Sequence, residues 1–330
     1  MPDTALILTV TLSLVYAYLN GYNDSGANIA PLVASRAMAR RPALLLAAIA
    51  EFIGPFLFGV AVAQTIGQSV VRTDLFTSTQ LNIAIATAVG WGLLANRLRI
   101  PTSATHALLG GMVGAAFAGV GAEALDLPGI ARIVLFLVAT PIVGLALGHV
   151  TLSLLLLVVQ GMPPHINRYL RWGEIGFSMG LSLVHGANNA QTSMGLITLG
   201  LVLAGVQARF NVPWWVVVIS AAALALGVAV SSQRIMWRLG NHLYRIRPIH
   251  GFASTGASFA TLLVATEAGA PVSGTQVISA TLAGAGAAQR LSMVRWRVFQ
   301  SIGLAWMVTF PATTTIAALI VWGIRLLSRS

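Results

Sequence analysis

The chain has no cysteine and no lysine, and only eight of its 330 residues are acidic. Without cysteine, disulfide bridges and thiolate metal sites are excluded. Without lysine, all nineteen basic residues are arginine. Charged types make up only 8% of the chain, far below the share typical of a soluble domain. Hydrophobic types reach 57%, and the mean hydropathy is +0.84. A water-facing surface needs polar atoms to cover it, and so few charges cannot supply them. The bilayer is therefore the solvent for most of the surface. Enzyme motifs are also missing: there is no HExxH, no GxSxG and no pair of aspartates within the apolar runs, which argues against an intramembrane enzyme.

The net charge of +11 does not imply a nucleic-acid partner. The arginines cluster in short gaps between apolar runs, as cytoplasmic anchors do. The first apolar run starts at Ala5 and continues past Tyr18 without a basic leader or a clear cleavage site, so it reads as a first membrane helix and not as a removable signal peptide.

A helix needs about 20 apolar residues to cross the hydrocarbon core. Ten candidate segments are expected, over residues 4–36, 43–71, 79–97, 101–120, 130–160, 172–206, 213–232, 249–267, 271–288 and 296–323. Some are expected to be re-entrant. Segments one and six are long and carry Gly and Asn in the middle, where a helix can break. The fold class is thus an all-α polytopic membrane protein with broken or re-entrant helices. The stretch from Ser232 to Pro248 reads as an amphipathic helix lying on the membrane, and the eight tryptophans as mostly interfacial anchors.

The gaps alternate in charge. Arg36, Arg40 and Arg41 follow segment one, Arg97 and Arg99 segment three, and Arg168 and Arg171 segment five. Arg234, Arg238, Arg245 and Arg247 follow segment seven, and Arg290, Arg295 and Arg297 segment nine. The even-numbered gaps carry Asp74, Glu123, Asp126 and Glu267, with few arginines. The positive-inside rule then puts the odd gaps in the cytoplasm and the N-terminus outside. Arg325 and Arg329, beyond segment ten, run against this assignment.

Two motifs occur twice. NGYNDSGANIA (Asn20 to Ala30) is matched by HGANNAQTSMG (His185 to Gly195), and IPTSATHALLGGMVGAA (Ile100 to Ala116) by APVSGTQVISATLAGAG (Ala270 to Gly286). Order and spacing both repeat. Each half holds five segments, an odd number, so the two halves are expected to insert in opposite orientations: a membrane repeat over 1–165 and its inverted partner over 166–330. Inverted repeats with binding groups near the midplane are typical of secondary transporters.

The chemistry concentrates in these motifs. Pro101 suits a first helical turn, which Thr102, Ser103 and Thr105 crowd with hydroxyls. In the second copy Pro271 precedes Ser273, Thr275 and Gln276. Two such helix starts would form a neutral cage with positive dipole ends, able to replace the hydration of a phosphate-like anion. Asp24 is an acid inside an apolar run, a functional-site hypothesis by default. Its neighbours Asn20, Asn23, Ser25 and Asn28 are oxygen ligands that suit sodium, or surround a carboxyl that binds a proton. Asn188 and Asn189 are their second-half counterparts. Glu51 reads either as a second ion or proton group or as a partner for a polar backbone break. Glu174 lies near Arg168 and Arg171 and reads as half of an interfacial ion pair. His106 and His185 border the motifs as hydrogen-bonded packing residues or proton relays. Arg99 reads as a topogenic loop residue, with contact to an anion at the cytoplasmic mouth as the alternative.

With these residues the sequence resembles the PiT family of inorganic phosphate transporters over nearly its whole length. The likeness is closest in the two asparagine motifs and the two Pro-Ser-Thr motifs. It implies an inverted-repeat fold, uptake of an oxyanion coupled to Na+ or H+, location in the cytoplasmic membrane, and a homodimer. It assigns the ion site to Asn23, Asp24, Asn28 and Asn188, with Na+ at Asp24, Asn23 and Asn188, and the anion site to Ser103, Thr105, Ser273 and Thr275. The chain departs from the family pattern at Asn189, where aspartate is usual, at Thr192, where lysine is frequent, and at Ala104 and Gly274, where a hydroxyl is usual. The expected function is cation-coupled import of inorganic phosphate by alternating access, without a cofactor. The alternatives are sulfate or another tetrahedral oxyanion in the same fold, and a passive channel. The choice of coupling ion and the involvement of a metal–phosphate complex stay open.

Overall fold

A computed structural model describes residues 4–98, 102–231 and 246–328. Arg99, Pro101, Arg234, Arg238, Arg245, Arg329 and residues 232–245 of the expected surface helix lie outside the described residues. Among those described, eleven α-helices follow in order: α1 (Thr4–Ala34), α2 (Arg40–Leu57), α3 (Ala61–Gln68), α4 (Ser78–Leu98), α5 (Ala104–Gly119), α6 (Leu127–Val158), α7 (Ile166–Leu203), α8 (Trp214–Val230), α9 (Pro248–Glu267), α10 (Gly274–Gln289) and α11 (Trp296–Leu327). Each expected segment corresponds to one helix, except the second, which is α2 and α3 together.

The break is not where the composition placed it. Segments one and six are unbroken helices of 31 and 38 residues. Gly21 and Gly186 lie against neighbouring helices, and Asn28 and Asn188 bond across to other elements, so they do not compete with their own backbone. Segment two breaks instead. Pro55 lies in its last turn before the break, Gly59 takes a left-handed φ of 45°, and α2 and α3 meet at a 76° bend. Only a residue without a side chain adopts that backbone readily.

Among the described residues, α1, α4, α6 and the Gly303–Leu327 part of α11 are each long and apolar enough to cross a membrane, and the bent α2–α3 pair can serve as one further span. In α6, Leu137, Thr140, Gly144, Gly148 and Leu152 form a buried stripe at helical spacing, while Leu135, Ile142 and Leu157 are exposed. That inverts a soluble helix: the apolar surface faces out to lipid, and small residues mark the contact with neighbours. The polar motifs are interior, since α7 is buried at every position from Val184 to Leu201.

Packing is exchanged between the halves. α1 packs on α8 while α7 packs on α2, and α5 packs on α11 while α10 packs on α6. The first two crossings share their detail. A Cβ on Gly21 would overlap the Leu224 carbonyl, and one on Gly227 would overlap that of Tyr18. A Cβ on Gly54 would overlap the Leu183 carbonyl, and one on Gly186 the backbone of Glu51. In each helix the glycine stands three residues after the residue its partner touches. Both crossings are thus glycine-mediated backbone contacts of one pattern.

Arg325, which ran against the charge rule, donates to the Ala118 carbonyl at 3.0 Å near the end of α5. There it satisfies one of the free carbonyls of a helix terminus, which gives it a use apart from topology.

Candidate functional site

α1 presents Asn20, Asn23 and Asp24 to a cavity of about 20 Å³, whose wall includes Tyr16, Thr102 and Ala104. That is room for about one water or bare cation. The Asp24 carboxylate has no ion-pair partner among the described residues. On the same stretch of α1, Asn20 Oδ1, Asn23 Oδ1, Ser25 Oγ and Asn28 Oδ1 are buried without a hydrogen-bond partner, the first two on side chains that line this cavity with Asp24. Buried polar oxygens are normally satisfied, so a cluster of orphaned ones beside a carboxylate is a donor set suited to a hard cation.

The second-half asparagines are already engaged. Asn188 Nδ2 donates to Thr266 Oγ1 at 3.0 Å and to the Ala270 carbonyl at 2.9 Å, while its Oδ1 accepts from Val272 N–H at 3.3 Å. It fixes the chain that leads into α10. Asn189 Nδ2 lies 3.0 Å from His185 Nε2. His185 Nδ1 lies 3.1 Å from Glu51 Oε1, and Asn28 Nδ2 donates to that same oxygen at 3.0 Å and to Ser182 Oγ at 3.0 Å. Glu51 is therefore a partner inside a buried network joining α1, α2 and α7.

The helix starts of α5 and α10 adjoin. Thr105 Oγ1 reaches the Val272 carbonyl at 3.5 Å. The His185 ring occupies the space beside Gly274 that any side chain there would need, which explains in steric terms the missing hydroxyl at this position. Ser103 caps α5: its Oγ accepts from His106 N–H at 3.3 Å and lies 2.8 Å from His106 Nδ1. Thr102 Oγ1 accepts from Trp91 Nε1 at 3.0 Å and pairs with Thr309 Oγ1 at 3.0 Å. Ser273 and Thr275 pair through their hydroxyls at 3.0 Å, and Gln276 Oε1 is buried without a partner. The structure thus gathers Thr102 with the Asp24 group, and Thr105, Ser273 and His185 around the start of α10. It turns several hydroxyls toward one another and not toward a common centre.

Two residues had no role in the sequence reading or a different one. Gln191 Nε2 donates to the Phe58 carbonyl at 2.7 Å, and its Oε1 accepts from Val62 N–H at 2.8 Å. It serves both backbone ends of the α2–α3 break. A long amide in the middle of an apolar helix was the available signal. Glu174 was expected in an ion pair with Arg168 or Arg171. It is instead fully buried and accepts from Ser35 Oγ at 2.7 Å, with no ion pair among the described residues. Both arginines lie on exposed turns of α7, where water solvates them better than a distant carboxyl could.

The model of a family described as the phosphate transporter family matches residues 20–317. A protein of Rhizobium meliloti (strain 1021), named "Probable low-affinity inorganic phosphate transporter", is 33% identical over 95% of each chain. A Bacillus subtilis (strain 168) protein of the same name is 32% identical over 96% of this chain and 97% of its own. A solved structure titled "The sodium-dependent phosphate transporter" superposes with a TM-score of 0.87 at 24% identity, covering 98% of this chain and 100% of the other. With its fold shared at that level and the family model spanning both pairs of motifs, the chain belongs to the phosphate transporter family.

Proposed function

We propose that the chain imports inorganic phosphate across the cytoplasmic membrane in symport with Na+ or H+, by alternating access of two inverted halves, and that it works as a homodimer. The observation that carries the coupling is the group at Asp24: a buried carboxylate without an ion-pair partner among the described residues, with orphaned oxygens of Asn20 and Asn23 around one small cavity. A cation or a proton there satisfies groups the protein leaves unsatisfied. Asn188 and Asn189 act one layer away, holding the α10 start and the His185 ring.

The anion is taken between the starts of α5 and α10, by Thr102, Ser103, Thr105, Ser273, Thr275 and Gln276. Helix N-termini supply backbone N–H groups and the positive end of the dipole. The paired hydroxyls exchange one another for phosphate oxygens when the ion enters. The matching glycine crossings of α1 on α8 and of α7 on α2 support inverted halves, since one pattern is used twice with the roles exchanged. Sulfate is the second reading, favoured by Ala104 and Gly274, which remove two hydroxyls from the cage.

The test is uptake of labelled phosphate in proteoliposomes, with sodium and pH gradients imposed separately and sulfate as competitor. Uphill accumulation under one gradient, unaffected by excess sulfate, is expected. Asp24→Asn should lower it by more than about tenfold while the protein stays folded in the membrane. Equilibration without accumulation under either gradient would return the channel reading, and an unchanged rate in Asp24→Asn would remove that residue from the coupling.

A further inference from the structure

The crossing of α1 and α7 is closed differently at its two ends. Counted from the shared asparagine motif, Thr9 of α1 holds the place that Glu174 holds in α7, and Gly200 of α7 the place of Ser35 just after α1. At the end near the N-terminus of α1, Thr9 meets Gly200 and hydrogen-bonds to Asn82 Oδ1 at 2.8 Å. That contact holds nothing that titrates. At the opposite end, on the arginine-rich side, Glu174 Oε2 takes the Ser35 hydroxyl at 2.7 Å. Its Oε1 is buried without a partner, and α9 closes over the carboxyl with Gly251, where any side chain would overlap it.

Among the described residues no cation is paired with this carboxyl. On its own helix Arg171 is exposed. From α1, Arg36 is exposed; from α2, Arg41 is exposed and Arg40 donates to the Ser231 carbonyl at 3.0 Å. From α9, His250 turns its ring to Gln289 Oε1 at 2.8 Å and to Arg247 N–H at 3.1 Å. An enclosed carboxylate with one hydrogen bond and no direct ion-pair partner is strongly disfavoured, whereas the protonated acid costs far less. Once α1 and α7 part and water reaches it, the same group is an ordinary carboxyl that ionises at neutral pH.

We propose that Glu174 is a proton-binding site at the cytoplasmic end of the α1–α7 crossing, taking one proton from the cytoplasm when that end closes and returning it when the end opens. This rests on the transport reading above. The step is balanced by one proton moving between water and the Glu174 carboxylate. The direction follows by linkage: acid at the cytoplasmic face favours the closed end, and alkali favours the open one. This proton stays on the cytoplasmic side of the bilayer, so it regulates delivery and does not add to the coupling stoichiometry.

The test compares wild type with the isosteric Glu174→Gln in proteoliposomes that have the cytoplasmic face inward, at fixed external pH. Raising the luminal pH from about 6 to about 8 should speed initial phosphate uptake by roughly threefold in wild type and by less than about 1.5-fold in the variant, which should stay at the slow acid rate. An equal response in both proteins overturns the proposal. Wild type that takes up no phosphate at any luminal pH fails the transport reading instead. A second readout decides the proposal in that event. Since the chain has no cysteine, Ala34→Cys reports on the end of α1 by its rate of labelling with a water-soluble thiol reagent. The thiol's own titration is common to both backgrounds. The rise in labelling with pH should be steeper with Glu174 than with Glu174→Gln, and identical curves reject the site.

Discussion

His185 stands 3.1 Å from Glu51, ring nitrogen to carboxylate oxygen, with both side chains shut inside the bundle. The crossing pattern gives the Glu51 position in the other half to Leu224, and the repeated motif gives that of His185 to Asn20. The α2–α7 crossing therefore carries a buried acid with its partner built in, while Asp24, on α1, has none among the described residues. The two matching crossings thus have different electrostatic needs, and the Asp24 group lacks a built-in partner of the kind Glu51 has.

That asymmetry sets the first prediction. Removing one member of a buried pair leaves the other uncompensated, at a cost of about 3–5 kcal/mol. Glu51→Leu and His185→Leu should each lower the unfolding temperature in detergent strongly. The double variant should lose clearly less than the two losses added, because it removes both partners at once. Strictly additive losses would mean that the residues do not stabilise each other across their 3.1 Å separation.

The second prediction concerns the break in segment two. Gln191 supplies the acceptor for Val62 N–H and the donor for the Phe58 carbonyl. Gln191→Leu keeps the bulk and strands both backbone groups, at about 1–3 kcal/mol each. Gln191→Glu keeps the acceptor but puts a buried carboxyl where the amide donor was, facing the Phe58 carbonyl. Thermal unfolding should therefore place both variants below wild type, and the glutamate variant should recover at low pH, where the protonated acid can donate again. A leucine variant as stable as wild type would mean that the 76° bend is held by Gly59 and the surrounding packing alone.

Much of this architecture was legible because the bilayer simplifies the code. Ten apolar runs became ten helical segments, since a backbone in lipid has to satisfy itself within each segment. The Asp24 group was legible for the same reason, as an acid in an apolar run needs a use. What could not be read was which polar residues answer each other. Glu51, Asn28 and His185 lie far apart in sequence, and nothing local announces that they meet. Glu174 was misread because sequence neighbours are a poor guide on a helix: Arg171 is near in number, yet Ser35 is what the carboxyl touches. The break was misplaced because Asn and Gly were weighed as breakers, when in α1 and α7 they are packing surface.

The last prediction treats the two glycine crossings as a matched experiment. Gly21 lies against the Leu224 carbonyl and Gly186 against the backbone of Glu51. Neither neighbour is a side chain that can swing away, so an added methyl group has to push two helices apart. Overpacking of this kind costs about 1–3 kcal/mol. If the halves are inverted copies, Gly21→Ala and Gly186→Ala insert the same methyl into equivalent crossings and should lower the unfolding temperature by similar amounts. Their losses should also add, because they disturb separate helix pairs. A large loss at Gly21 with none at Gly186 would break the equivalence, and the inverted-repeat reading of the fold would lose its strongest packing argument.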